Sequence, residues 1–384
     1  MTPMPLGLFA TARRSPFLFQ WEARDLSTTA RSGQVGTLTR ASVGAVTDSN
    51  GIISFVPNNA PRFGYVNGVF GLLMEGLATN VCMWNRDLTN AAWVKTNVTA
   101  AKDQVGVDGQ PNSASSIVAT AGNGTVLQAV TLTISTRNQS AYVRRITGAG
   151  VVNMTTDGGA TWNAVVVTAA WTQVTFSQAA VTNPSIGFRL VTNGDKIAVD
   201  LVQNETGAFP SSAIVTGAAA AERSADAFSL PCNVAPALAG LTAYADLLDL
   251  GSSRIVAGYW DLGSHSLGVS LGCYAGSVTQ QNSYWADGVG QRESPVTTSP
   301  ALQDRLELMT QLVPAVTIQG TVAKNGGAPV VGVNGMAGIV TPAAFAQALL
   351  SLNKYAGGPD GFSLLKSFRL AAAPQTFAYM QAAA

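Results

Sequence analysis

Along most of this chain, apolar and polar residues alternate in short runs with a period of two. That period sends successive side chains to opposite faces of a strand. Val126–Thr133 sets Val126, Val130 and Leu132 on one face. Lys196–Val202 sets Ile197, Val199 and Leu201 against Ala198, Asp200 and Val202. Arg305–Val313 sets Leu306, Leu308, Thr310 and Leu312 against Arg305, Glu307, Met309 and Gln311. Further strand-like runs are Gln34–Leu38, Ile52–Val56, Trp171–Phe176, Ile255–Trp260, Ser266–Tyr274 and Phe362–Leu370. Asp157-Gly158-Gly159 and Asn325-Gly326-Gly327 supply the positive φ that tight hairpins require. One segment predicts a helix. Thr341 is its N-cap and Pro342 its first residue, Phe345, Leu349 and Leu352 share a face, and Gly357-Gly358 stops it.

Many short strands separated by turns predict an all-β protein of two antiparallel jelly-roll sandwiches, with one short helix in the C-terminal part. Residues 1–78 are broken by Pro and Gly and are expected to be an attachment arm packing on a neighbour, within the chain or between subunits. Residues 79–218 predict a first sandwich and residues 219–384 a second, with a small-residue linker at Ala219–Ala225.

Composition sharpens this picture. Hydrophobic residues make up 47% of the 384 positions, enough for buried cores, while charged residues make up only 11%. The surface is therefore solvated largely by hydroxyls and amides, as in extracellular β proteins and virus particles. The net charge is +1, and no basic run exceeds Arg13-Arg14 or Arg144-Arg145, so no nucleic-acid footprint is expected. No apolar stretch reaches about 18 residues, so no membrane insertion is expected. The N-terminus lacks the charged and apolar regions of a signal peptide, which points to synthesis in a cytoplasm without export. Cys82, Cys232 and Cys273 match no zinc or redox spacing and are expected to be buried free thiols.

Little here suggests catalysis. His265 is the one histidine, in a loop-like setting, so any serine or cysteine machinery would depend on it. Gly122-Asn123-Gly124 is a turn with no helix behind it, not a phosphate loop. Asp157, Asp195, Asp200 and Glu205 are scattered, although a glycosidase pair stays open because sequence spacing does not fix distance. No catalytic residue, metal site or cofactor is therefore expected. Sugar binding is the stronger candidate, since aromatic faces stack on pyranose rings while amides read hydroxyls. Tyr284 and Trp285, in the polar run Gln280-Gln281-Asn282-Ser283, are one candidate platform, and Trp162, beside a hairpin turn, is another. The competing reading places Trp162 and Trp171 in the sandwich core, with Trp93.

Three stretches carry a family resemblance. The first is Leu38-Thr39-Arg40-Ala41-Ser42 followed by Asn59-Ala60-Pro61-Arg62-Phe63-Gly64-Tyr65. The second runs from Gly71-Leu72-Leu73-Met74-Glu75-Gly76 through Thr79-Asn80 to Asn90-Ala91-Ala92-Trp93. The third is Asp157–Trp162, Trp171-Thr172-Gln173-Val174 and Gln203–Ser212, with Glu222-Arg223-Ser224-Ala225-Asp226 as a junction. Together they resemble tailed-phage virion proteins of the head-spike or tail-fibre type. These carry a carbohydrate-binding-module-like jelly roll and a concanavalin A- or laminin G-like second domain. The resemblance implies a non-enzymatic virion component, located in the particle. Its implied partners are other phage virion proteins, copies of itself (a trimer above all) and a host cell-surface glycan. A glycan-binding adhesin and a polysaccharide depolymerase are the alternatives. The motif residues Arg62, Phe63, Glu75, Gly76, Asn80, Trp93 and Gly207 make sense as scaffold. Arg62 is placed to pair with Glu75 and pin the arm onto the first sandwich, while Gly71 and Gly76 permit tight reversals.

Overall fold

The computed structural model describes residues 17–31, 35–232, 241–250, 254–261, 267–274, 280–287, 291–297, 304–313, 317–332, 348–352, 363–371 and 376–382. The chain is all-β, with antiparallel sheets stacked as sandwiches.

The central sandwich has two five-stranded sheets. One runs in the order Thr172–Val181, Ser135–Thr147, Lys196–Thr206, Ala114–Ala119, Val98–Gln104. The other runs Asn163–Val165, Val152–Thr155, Ser185–Leu190, Gly124–Ala129, Val94–Thr96. The inward halves of the alternating pattern meet between them, where Trp93, Ile117, Val126, Val143, Phe188 and Ile197 form the core. Asp157-Gly158-Gly159 makes the hairpin between Val152–Thr155 and Asn163–Val165, with φ of 74° and 96° at the two glycines.

The outer face of the first sheet is covered too. Residues 197–205 are all buried, as expected for a strand packed on both sides. The hairpin of Gly44–Thr47 and Ile53–Val56 lies on this face, and Ala45 and Ile53 pack against Leu201, Tyr142 and Trp171. A bulge modifies the simple alternation here. The register shifts between Ser140 and Tyr142, and Leu201 takes a φ of 49°. Leu201 therefore joins the outer cluster while Val202 turns into the core, in place of the expected grouping of Leu201 with Ile197 and Val199.

The second sandwich draws on both ends of the chain. Its eight-stranded sheet runs Val330–Val331, Thr317–Lys324, Arg305–Val313, Leu241–Asp249, Ser363–Ala371, Val69–Met74, Phe63–Val66, and Phe17–Glu22 also pairs with Ser363–Ala371. Its seven-stranded sheet begins with Thr37–Thr39 beside Ala227–Cys232 and continues through Ala348–Leu352 to Gln291–Thr297. The segment read as an arm thus supplies strands to both sheets. Trp21 is buried there, with ring centroids 6.5 Å from Phe63 and 5.9 Å from Phe228.

The helix expected from Thr341 is corrected in its second half. Ala348–Leu352 is a strand, hydrogen-bonded on one side to Ala227–Cys232 and on the other to Arg254–Asp261. An apolar run flanked by two strands satisfies its backbone in the sheet, which overrides its helical periodicity. Residues 341–347 lie outside the described residues. The helix that does form is Phe377–Ala382, in the Ala-rich end where no element was expected. Thr376 Oγ1 accepts from the Tyr379 N–H, an N-cap bond, and Met380 is buried. Gly71 is corrected as well. It makes no reversal but sits inside strand Val69–Met74, where a Cβ would come within 2.7 Å of Leu364 and 2.8 Å of the Leu365 carbonyl oxygen.

Candidate functional site

Five charged residues of the motif stretches, Arg40, Arg62, Glu75, Arg223 and Asp226, converge at the junction of the two sandwiches. Arg62 Nη1 donates to Glu75 Oε2 at 2.6 Å, and Arg62 Nη2 donates to Asp226 Oδ2. Arg40 Nη1 donates to Asp226 Oδ1 at 2.9 Å, and Arg223 Nη2 donates to the Gly76 carbonyl at 2.9 Å. All five side chains are buried. Charges in a dry interior survive only when paired and hydrogen-bonded, so these contacts determine one another. Burial alone would raise the Glu75 carboxyl. Arg223, Arg62 and two hydrogen bonds from Ser212 outweigh it and hold Glu75 at about 2.

The other motif residues are packing elements. Asn80 uses its whole amide: Nδ2 donates to Val202 O and Ile214 O, and Oδ1 accepts from Cys82 N and Asn204 N. Trp93 is buried and donates Nε1 to the Trp84 carbonyl. Gly207 holds a φ of 119° as the chain leaves strand Lys196–Thr206. Cys82 is a buried free thiol.

Above the ion cluster opens a cleft of about 290 Å³. Its walls come from separate parts of the chain. Tyr65 and Asn67 come from the hairpin of Phe63–Val66 and Val69–Met74, and Trp171, Gln173 and Tyr142 come from the outer face of the central sandwich. Phe209 comes from the loop after strand Lys196–Thr206 and is 42% exposed. The hairpin turn Asn67-Gly68 has φ of 49° and 77°, a two-residue turn with both centres left-handed. Burial pushes the Tyr142 phenol up to about 12, so it stays a neutral hydroxyl at any physiological pH.

The loop that carries Phe209 is tied down by two carboxylates. Ser212 N and Oγ donate to Glu75, and Ser211 N and Oγ donate to Glu205 at 2.9 and 2.6 Å. Burial dominates at Glu205, outweighs the Ser211 hydrogen bonds and raises its carboxyl to about 7. Among the described residues lining the cleft, Glu75 is the one carboxylate, and no lysine, arginine or histidine lines it.

Of the aromatic platforms expected from sequence, Trp162 is not in the cleft lining. Trp162 is half-buried beside its hairpin turn, with the Arg189 guanidinium 4.5 Å from its ring centre. It is neither in the sandwich core nor in the cleft lining. Trp171 is likewise outside the main core. It occupies the outer face with Tyr142, so its alternation with Val174 marks the opposite side of the strand from the one expected. Tyr284 and Trp285 fall in strand Gln280–Asp287, but their side chains lie outside the described residues, as does His265. Tyr65 and Phe209 fall within the motif stretches but were assigned no binding role there, and Tyr142 lies outside them. The Asn67-Gly68 turn beside Tyr65 was the available signal, and nothing local marks the other two.

Among the described residues no cluster of three His, Cys, Asp or Glu could hold a metal ion, and no helix is long and apolar enough to cross a membrane. No protein family matches the sequence, and no curated protein does. Solved structures similar to this chain include the N-terminal CBM22-1-CBM22-2 tandem domain of Xyn10C from Paenibacillus barcinonensis. That match is 10% identical, covers 78% of this chain and 99% of the other, and has a TM-score of 0.27. Another is the LG4-5 pair of the mouse laminin α1 chain, 10% identical over 65% of this chain and 86% of the other, with a TM-score of 0.25.

Proposed function

We propose that this protein is a non-enzymatic β-sandwich component of a tailed-phage particle, and that its cleft holds a glycan of the host surface. The observation that supports binding without turnover is the make-up of the cleft. Aromatic faces and side-chain amides meet there, as stacking and hydroxyl recognition require. The one carboxylate among its described lining residues, Glu75, is ionised, salt-bridged to Arg62 and hydrogen-bonded by Ser212, so it has no proton to give a leaving group. The virion assignment rests on the motif resemblance. Five of the motif charges are consumed by the junction, which fits a part built for assembly.

Co-sedimentation of the full chain with bacterial envelope polysaccharides tests this reading. Retention on a polysaccharide with no new reducing ends is the expected result. New reducing ends at high protein load overturn the non-enzymatic half, and no retention on any polysaccharide overturns the glycan half. Antibody against the chain is expected to decorate phage particles, and unlabelled particles overturn the virion half. Light scattering is expected to give a multiple of the chain mass, because attachment by weak sites needs avidity.

A further inference from the structure

We infer that the cleft selects an uncharged sugar and takes it as a single end or branch unit rather than as part of an extended chain. This rests on the glycan reading above and adds the class and presentation of the ligand.

The charge argument comes first. An acidic sugar brought into the cleft gives up water around its carboxylate, and it gains only if a cation or several donors replace that water. The described lining contains no cation. Arg62 is spent on Glu75 and Asp226 beneath the floor. Arg144 lies 5.2 Å from the Trp171 ring centre and donates to Gln104, and it does not line the cleft. The one ionised group that does line it, Glu75, is already paired with Arg62 and offers an anion no donor. An uncharged hexose meets none of these costs. Its hydroxyls find the Gln173 and Asn67 amides, and its apolar face finds Trp171 or Phe209.

Size gives the second half. At about 290 Å³ the cleft lies at the small end of the roughly 300–1,000 Å³ typical of small-molecule sites. The hairpin turn at Asn67-Gly68 and the Phe209 loop bound it, both belonging to segments outside the central sandwich sheets. A cleft this small suits a single protruding unit.

The experiment is ligand-observed NMR on the full chain with methyl glucoside, methyl galactoside and methyl mannoside, and with the matching methyl uronides. At least one neutral glycoside is expected to bind and to change the Trp171 fluorescence. Its uronide is expected to bind at least about tenfold more weakly. Trp171→Ala and Phe209→Ala are each expected to weaken binding by about tenfold. Phe209 is partly exposed, so its truncation leaves folding intact and keeps the test decisive if Trp171→Ala fails to fold. Uronides binding as well as their neutral partners overturn the selectivity and leave the glycan reading standing. Binding of the hexasaccharide of a linear polymer about tenfold more tightly than its methyl glycoside overturns the end-unit presentation. Binding unaffected by Phe209→Ala overturns the location, and no saturation transfer from any sugar overturns the glycan reading itself.

Discussion

At the scale of single residues, two carboxylates in neighbouring positions titrate in opposite directions, and both hold the same loop. Glu75 sits at about 2, below its ordinary 4.5, because Arg223 and Arg62 outweigh its burial. Its contribution to stability is present above about pH 4.5 and disappears as pH falls toward 2. Glu205 sits at about 7, above its ordinary 4.5, because burial outweighs the Ser211 bonds. Its contribution is present below about pH 4.5 and is lost as pH rises through 7. Glu205→Gln is therefore expected to gain stability relative to the natural protein across pH 4.5 to 7, with a constant difference above about 8. Urea melts at a series of pH values measure this, and a pH-independent difference would show that Glu205 ionises freely. The pairing of Arg62 with Glu75 was legible in sequence, as adjacent motifs carrying opposite charge. The role of Glu205 was not, since its proton affinity comes from burial that only the assembled junction creates.

At the scale of elements, several strands followed the period-two pattern, but Val126–Thr133 is corrected: the strand is Gly124–Ala129, so Val130 and Leu132 lie beyond its end. Arg305–Val313 forms over its expected bounds, and Asp157-Gly158-Gly159 makes its hairpin. The alternation failed where a second layer covers a sheet. Leu201 and Trp171 face outward, yet both pack against the Gly44–Thr47 and Ile53–Val56 hairpin. An outward apolar residue under a distant hairpin has the same local pattern as an inward one, so face assignment there is ambiguous. Close approach of that hairpin to strand Phe63–Val66 depends on Gly64. A Cβ there would lie 2.2 Å from Val46 Cγ2 and 2.6 Å from the Thr47 carbonyl oxygen. Gly64→Ala is expected to cost about 1–3 kcal/mol in chemical denaturation, the usual penalty for overpacking. An unchanged midpoint would mean the two hairpins separate freely.

At the scale of the whole molecule, the chain threads the second sandwich first, builds the central sandwich, then returns. Ala78–Asn80 pairs with Ala221–Arg223 where it leaves and re-enters. A fragment of residues 79–218 lacks the hairpin over Leu201, Tyr142 and Trp171. It is expected to bind the dye ANS and to precipitate more readily than the full chain, because that apolar face meets water. A fragment that stays soluble and dye-free would show that the outer face needs no cover. Local periodicity and turn chemistry were enough to establish an all-β chain, a minority of its strands and its Arg62–Glu75 contact, because strand alternation and hairpin turns are encoded within a few residues. Long-range juxtapositions, such as the Arg62–Asp226 bond or Trp171 and Tyr65 lining one cleft, arise only when distant strands pair. The cleft and the conversion of Ala348–Leu352 from helix to strand belong to that second category, since partner strands and covering layers decide which faces are buried.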